Sequence, residues 1–246
     1  VGRGTTIARH GDTRPGTVDV TTLHGSVFAI AATVPDVAAV RQAGGETTYA
    51  QLADQIRSIG AALTVAGLAA GDAVAVVGTA CAEQIPAMLG VLAAGATYVP
   101  VAAGLGTDAA MRRGRVRMAL VCGDLTPAWA PALTVREALR VGAAERGFVP
   151  MAAGAPDDRT AAILATATHP DGRTFGHAAL LDAIGRHRTR RPDAVVPTLD
   201  TDGSVAEVFA PLLAGAGVAV ADRGRAVVPA IGPVRFLPMS DTAPVR

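Results

Sequence analysis

Two apolar rhythms alternate along this chain. Stretches with apolar residues three and four positions apart predict helices, and short runs of small and β-branched residues between them predict buried strands. LHGSVFAIAATVP, Leu23 to Pro35, predicts a helix ended by proline. AAVRQAGGETTY predicts a hairpin turning at Gly44 and Gly45. AQLADQIRSIGAALTVAG sets Leu52, Ile56, Ile59 and Leu63 on one helical face, with Gly67 as its stop. AVAVVG then reads as a strand, EQIPAMLGVLAAG as a helix, and TYVPV and MALVCGD as strands. After a loose, proline-containing stretch come the strand AAIL, the helices HAALLDAIG and SVAEVFAPLLAG, and the strands GVAVAD and VRFLP. This order predicts an α/β fold of mainly parallel sheets flanked by helices, with right-handed crossovers. The loose stretch, about 125–156, is the best place for a subdomain boundary.

Half of the 246 residues are apolar and 17% are charged, which suits a chain with a core. The net charge of +1 offers no general attraction to nucleic acid. The densest basic run, Arg186 to Arg191, suits the end of a helix better than a phosphate patch. Glycine, proline or a charge interrupts every apolar run before membrane-spanning length, so no membrane partner is expected. Cys81 and Cys122 lie far apart and no signal-peptide pattern is present, which points to the cytoplasm and to plain core thiols. Residues 1–22, polar and glycine-rich, read as an inter-domain linker. The chain contains no lysine, so no lysine can clamp a phosphate or form a Schiff base.

TTYAQLADQI and LAAGATYVPV resemble the LTYxEL and LKAGxAYVPL motifs of nonribosomal peptide synthetase adenylation domains, members of the adenylate-forming superfamily. DTDGSVAEVFAPLLAGAGVAVAD resembles that family's FDxSVxEIFxPLLxGAxLVxAD, and the three occur in the family's order. The resemblance runs from Leu23 to about Pro238. It implies the fold of the N-terminal subdomains of an adenylate-forming enzyme. Such enzymes activate a carboxylic acid with ATP and load it onto a carrier-domain thiol.

ATATHPDGRTFGH, Ala165 to His177, aligns with the phosphate loop TSGSTGxPKG and the histidine that follows it. It reads as a loop between a strand and a helix. Pro170, Gly172 and His177 fit; Thr166, Thr168, His169 and Asp171 stand in an altered loop that has lost its serine-glycine pairs. A triphosphate cradle needs glycines so that backbone N–H groups can converge on the anion. Asp171 occupies the lysine's place and turns attraction into repulsion. Two like charges near 4 Å cost about 1 kcal/mol in water and roughly 4 kcal/mol at intermediate dielectric. Arg173 or His169 could compensate for the charge but not for the glycines.

The chain reaches VRFLPMSDTAPVR before the places where the family puts its adenine motif, ribose-binding aspartate and mobile C-terminal subdomain. The expectation is therefore a truncated adenylation-like domain over residues 23–246, lacking that subdomain. The resemblance maps Asp202 onto the aspartate that holds a substrate's amino group, and Gly203 and Ala206 onto the pocket lining, here a vestigial amino-acid pocket. The bland alternative is that Asp202 caps a helix starting near Ser204 or sits in a turn. Glu207, aligned with the family's glutamate, reads as a polar contact rather than a catalyst.

Gly104-Leu105-Gly106 after TYVPV, with Asp124 further on, mimics a dinucleotide fingerprint, but Ala109 stands at the third glycine position, and a turn is the better reading. Ser204 lacks a nucleophile elbow, and the five histidines have no paired metal spacing. The sequence reading is thus a catalytically inactive platform domain, with no catalytic residue, cofactor or metal. Its partners would be other synthetase domains: condensation or cyclisation upstream, carrier or adenylation elsewhere. The alternative is one part of a split amino-acid adenylating enzyme completed in trans, and a third is an inert spacer.

Overall fold

The computed structural model describes residues 21–42, 44–78, 82–102, 116–123, 130–145, 147–151, 160–166, 169–186, 199 and 202–220. The elements are α1 (Leu23–Thr33), β1 (Ala38–Gln42), β2 (Gly45–Thr48), α2 (Tyr49–Val65), β3 (Ala73–Gly78), α3 (Gln84–Ala93), β4 (Thr97–Ala102) and β5 (Val116–Val121). Next come β6 (Ala132–Thr134), α4 (Val135–Gly142), β7 (Thr160–Thr166), β8 (His169–Gly176), α5 (His177–Arg186), α6 (Asp202–Leu213) and β9 (Val218–Ala219). Six strands form a sheet in the order β6-β5-β3-β4-β7-β8, parallel except for the antiparallel last pair. A second sheet has the order β2-β1-β9, in which β1 pairs antiparallel with β2 and parallel with β9.

The larger sheet is apolar on both faces. All six residues of β3 are buried, as expected of a central parallel strand. Val74, Val76, Tyr98, Met118 and Leu120 join the main core with the helices. Ala73, Ala75, Val77, Val99, Val101, Ala119 and Val121 form smaller clusters on the other side, which is the period of two that a strand imposes.

The predicted face of α2 is real: Leu52, Ile56, Ile59 and Leu63 are all fully buried. Burying each contributes about 1.5–3 kcal/mol. A capping box opens this helix, with Thr48 accepting from the Gln51 N–H and Gln51 answering the Thr48 N–H. The helix α3 is buried on every side, because α1 and α2 flank it while β3 and β4 lie against it. Small residues set how close the helices come. A Cβ at Gly142, the last residue of α4, would overlap the Ser58 carbonyl of α2, and one at Gly90 of α3 would strike the Ile59 side chain.

Two expectations change. The stretch read as loose contains β6 and α4, with a second capping box between Thr134 and Glu137. These hydrogen bonds hold the exposed Glu137 carboxyl below its usual pKa range. Second, the segment read as a strand-to-helix loop is mostly strand: β7 reaches Thr166, and β8 returns antiparallel from His169. The predicted strand VRFLP, the dinucleotide-like glycines with Asp124, Cys81, most of the proposed linker and most of the basic run lie outside the described residues.

Candidate functional site

The phosphate-loop region is a β-hairpin at the edge of the large sheet. Thr166 pairs with His169, and Leu164 pairs with Arg173. Pro170, Asp171 and Gly172 therefore stand opposite the single residue Ala165, and β8 bulges there. Gly172 is buried at φ +95°, a conformation that side chains rarely adopt. The bulge explains why the hairpin escaped the sequence pattern. HPDGRTFG has no apolar alternation, and strand pairing alone makes it extended. Thr168 and the side chains of Thr166, His169, Pro170 and Asp171 lie outside the described residues.

His177 begins α5 directly after β8. Its ring stands edge-on to that of His24, with centroids 6.0 Å apart. His24 is buried at the start of α1, where its Nε2 donates to the Met151 carbonyl at 2.9 Å. No sequence pattern signals this pair, since the two histidines lie far apart in the chain.

The helix α6 packs on α5 and on β7, the first strand of the hairpin. It begins at Asp202 itself, so Asp202 belongs to the first turn and does not precede it. Gly203 is exposed, Ala206 is buried and Glu207 is half-buried.

Both tyrosines of the chain hydrogen-bond to the backbone around this helix. Tyr49 Oη lies 2.8 Å from the Leu212 carbonyl and 2.7 Å from the Ala216 carbonyl, at the helix C-terminus. Its one proton serves two acceptors there. Burial pushes the Tyr49 phenol well above its usual pKa, so it remains a donor. At the other end Tyr98 Oη donates to the Leu199 carbonyl at 2.9 Å, and the Leu199 N–H donates to Gln84 Oε1 at 3.1 Å. Gly215, at φ +75°, ends α6 in a Schellman turn through Gly215 N–H to Leu212 and Ala216 N–H to Pro211. TTYAQL is thus hydrogen-bonded to DGSVAEVFAPLLAGA, and ATYVPV to Leu199, three residues before it.

Against this geometry, the family profile described as "AMP-binding enzyme" matches residues 27–140. The chain is adenylation-domain-like in sequence and in fold. This adenylation-like chain is 40% identical over 215 residues to phenyloxazoline synthase MbtB of Mycobacterium sp. (strain MCS), covering 82% of this chain and 18% of that protein. It is 34% identical over 219 residues to pyochelin synthetase PchE of Pseudomonas aeruginosa, covering 83% of this chain and 15% of the relative. It therefore spans less than a fifth of the length of either relative. Among solved structures, the nonribosomal peptide synthetase FmoA3 superposes with a TM-score of 0.67 at 29% identity, over 81% of this chain and 22% of that one.

The adenylation-like chain keeps the family's packing motifs, while the residues of the hairpin depart from the family's loop. Among the described residues no group of three or more histidine, cysteine, aspartate or glutamate side chains could hold a metal ion. No helix among them is long and apolar enough to cross a membrane. Cys122 is a buried thiol just after β5, consistent with its reading as a core residue.

Proposed function

We propose that this chain is a catalytically inactive adenylation-like domain that serves a nonribosomal peptide synthetase as a structural platform for its neighbours. The observation that carries the reading is Asp171, standing where the family's phosphate loop has its lysine, in a chain with no lysine at all. The packing motifs, by contrast, are in full use, with Tyr49, Leu52 and Tyr98 buried. A cytoplasmic multidomain synthetase is the setting. The neighbours are an upstream condensation or cyclisation domain, with carrier or adenylation domains elsewhere.

The test is a thermal-melt titration with Mg-ATP, alone and with a panel of amino acids. A ligand bound only by the folded state adds roughly 2.7 kcal/mol at a hundredfold excess over its dissociation constant. We expect no saturable shift with ATP, and direct binding to the adjacent condensation or cyclisation domain. A saturable ATP shift would overturn the inactive reading.

The opening of α6 at Asp202 favours a second reading, in which the carboxylate still holds an amino acid's ammonium group and a partner chain completes a split adenylating enzyme. A shift with one amino acid, together with ATP-dependent turnover only when the partner is added, would establish it.

A further inference from the structure

Leu199 lies three residues before α6, far in sequence from the elements that hold it. Both of its backbone polar groups are taken by side chains: Tyr98 of β4 supplies the donor for its carbonyl, and Gln84 of α3 supplies the acceptor for its N–H. Donor and acceptor together are what a neighbouring strand would offer. The Leu199 side chain is buried, as are Tyr98 and Gln84. A hydrogen bond in such surroundings is costly to leave unmade. The clamp stands on rigid supports, since α3 and β4 lie in the main core. The other end of α6 is held separately, by Tyr49 from α2.

We infer that Tyr98 and Gln84 are positioning residues that fix the chain entering α6 and so present the first turn, Asp202 to Ala206, to the side of the phosphate hairpin. The two ends of α6 are set independently, the entry by Tyr98 and Gln84 and the exit by Tyr49. The inference holds whether the chain acts as a platform or binds an amino acid.

Hydrogen exchange read by mass spectrometry on the whole chain tests it, using Tyr98→Phe, Gln84→Met and Tyr49→Phe. Tyr98→Phe keeps the ring and removes only the hydroxyl, and Gln84→Met keeps the length and removes the acceptor. Both should speed exchange of Leu199 and of residues 203–206 by at least tenfold, leaving α2 and the 212–216 turn unchanged. Tyr49→Phe should do the reverse, loosening 212–216 and sparing 199–206. Unchanged exchange at 199–206 in the first two variants would overturn the inference. So would a uniform rise across all helices, because that would make the two residues general core supports. If Tyr98→Phe fails to fold, the exchange pattern of Gln84→Met decides between the same outcomes.

Discussion

The layer of α2, α3 and α4 and the β7–β8 hairpin both carry family-like sequence, but they use it differently. In the helical layer the recognisable residues each serve the fold. Thr48 and Gln51 cap a helix, Tyr49 ties it to α6, and Leu52 fills the core. In the hairpin the residues that depart from the family, with Asp171 foremost, fall in a bulge where the ladder is interrupted. Resemblance of sequence therefore reports on two separable demands. Packing tolerates little change, because a buried group has many neighbours. A hairpin can depart from the family's residues while its strands still pair.

Substitutions in the two regions put this contrast at risk. The largest effect is expected at Gly142→Ala, where the new Cβ meets the Ser58 backbone carbonyl. Overpacking of this kind costs about 3 kcal/mol, measured by urea denaturation. A loss below ~0.5 kcal/mol, the range of ordinary surface changes, would show that the α2–α4 approach is soft.

Tyr49→Phe takes the hydroxyl donor from two buried carbonyls, those of Leu212 and Ala216, of which Leu212 keeps the Gly215 N–H. A loss of about 2 kcal/mol is expected. The same variant tests a pH dependence. The folded pKa of Tyr49 is raised, so its contribution is fully present below the unfolded value of about 10 and falls as pH rises beyond it. With no lysine in the chain, the melting temperature between about pH 9.5 and about pH 11 should fall more steeply in the wild type than in Tyr49→Phe. Parallel slopes would contradict the burial of this phenol.

Removing the α2 cap by Thr48→Ala should cost ~1 kcal/mol in the same assay. Gly185 lies within α5 and a Cβ there would meet nothing within 4 Å. Gly185→Ala should therefore stabilise by about 0.5–1 kcal/mol, opposite in sign to Gly142→Ala. The smallest effect is expected at Asp171→Lys, within ~0.5 kcal/mol. A large loss there would give the hairpin a folding role and weaken the contrast.

Much of the fold was legible because local patterns and tertiary burial agree. The spacing of Leu52, Ile56, Ile59 and Leu63 declared the face of α2, and the Gly44–Gly45 turn declared the β1–β2 hairpin. The misses have physical causes. The helix α4 is short, with three buried residues, and its clearest local sign was the Thr134-to-Glu137 cap at N-cap spacing. The strand β8 carries histidine, proline, aspartate and glycine, poor strand formers, and owes its conformation to its partner β7.

Residue type and local spacing were enough to set the order of elements, the faces they bury and the absence of any lysine. Folding in three dimensions settled the rest. It placed the two tyrosines at opposite ends of α6, held Leu199 with side chains from α3 and β4, and made the altered phosphate segment a bulged ribbon. The tyrosine and Leu199 contacts join residues more than a hundred positions apart. No local pattern encodes such partners, because chain folding brings them together only after each element has buried its apolar face.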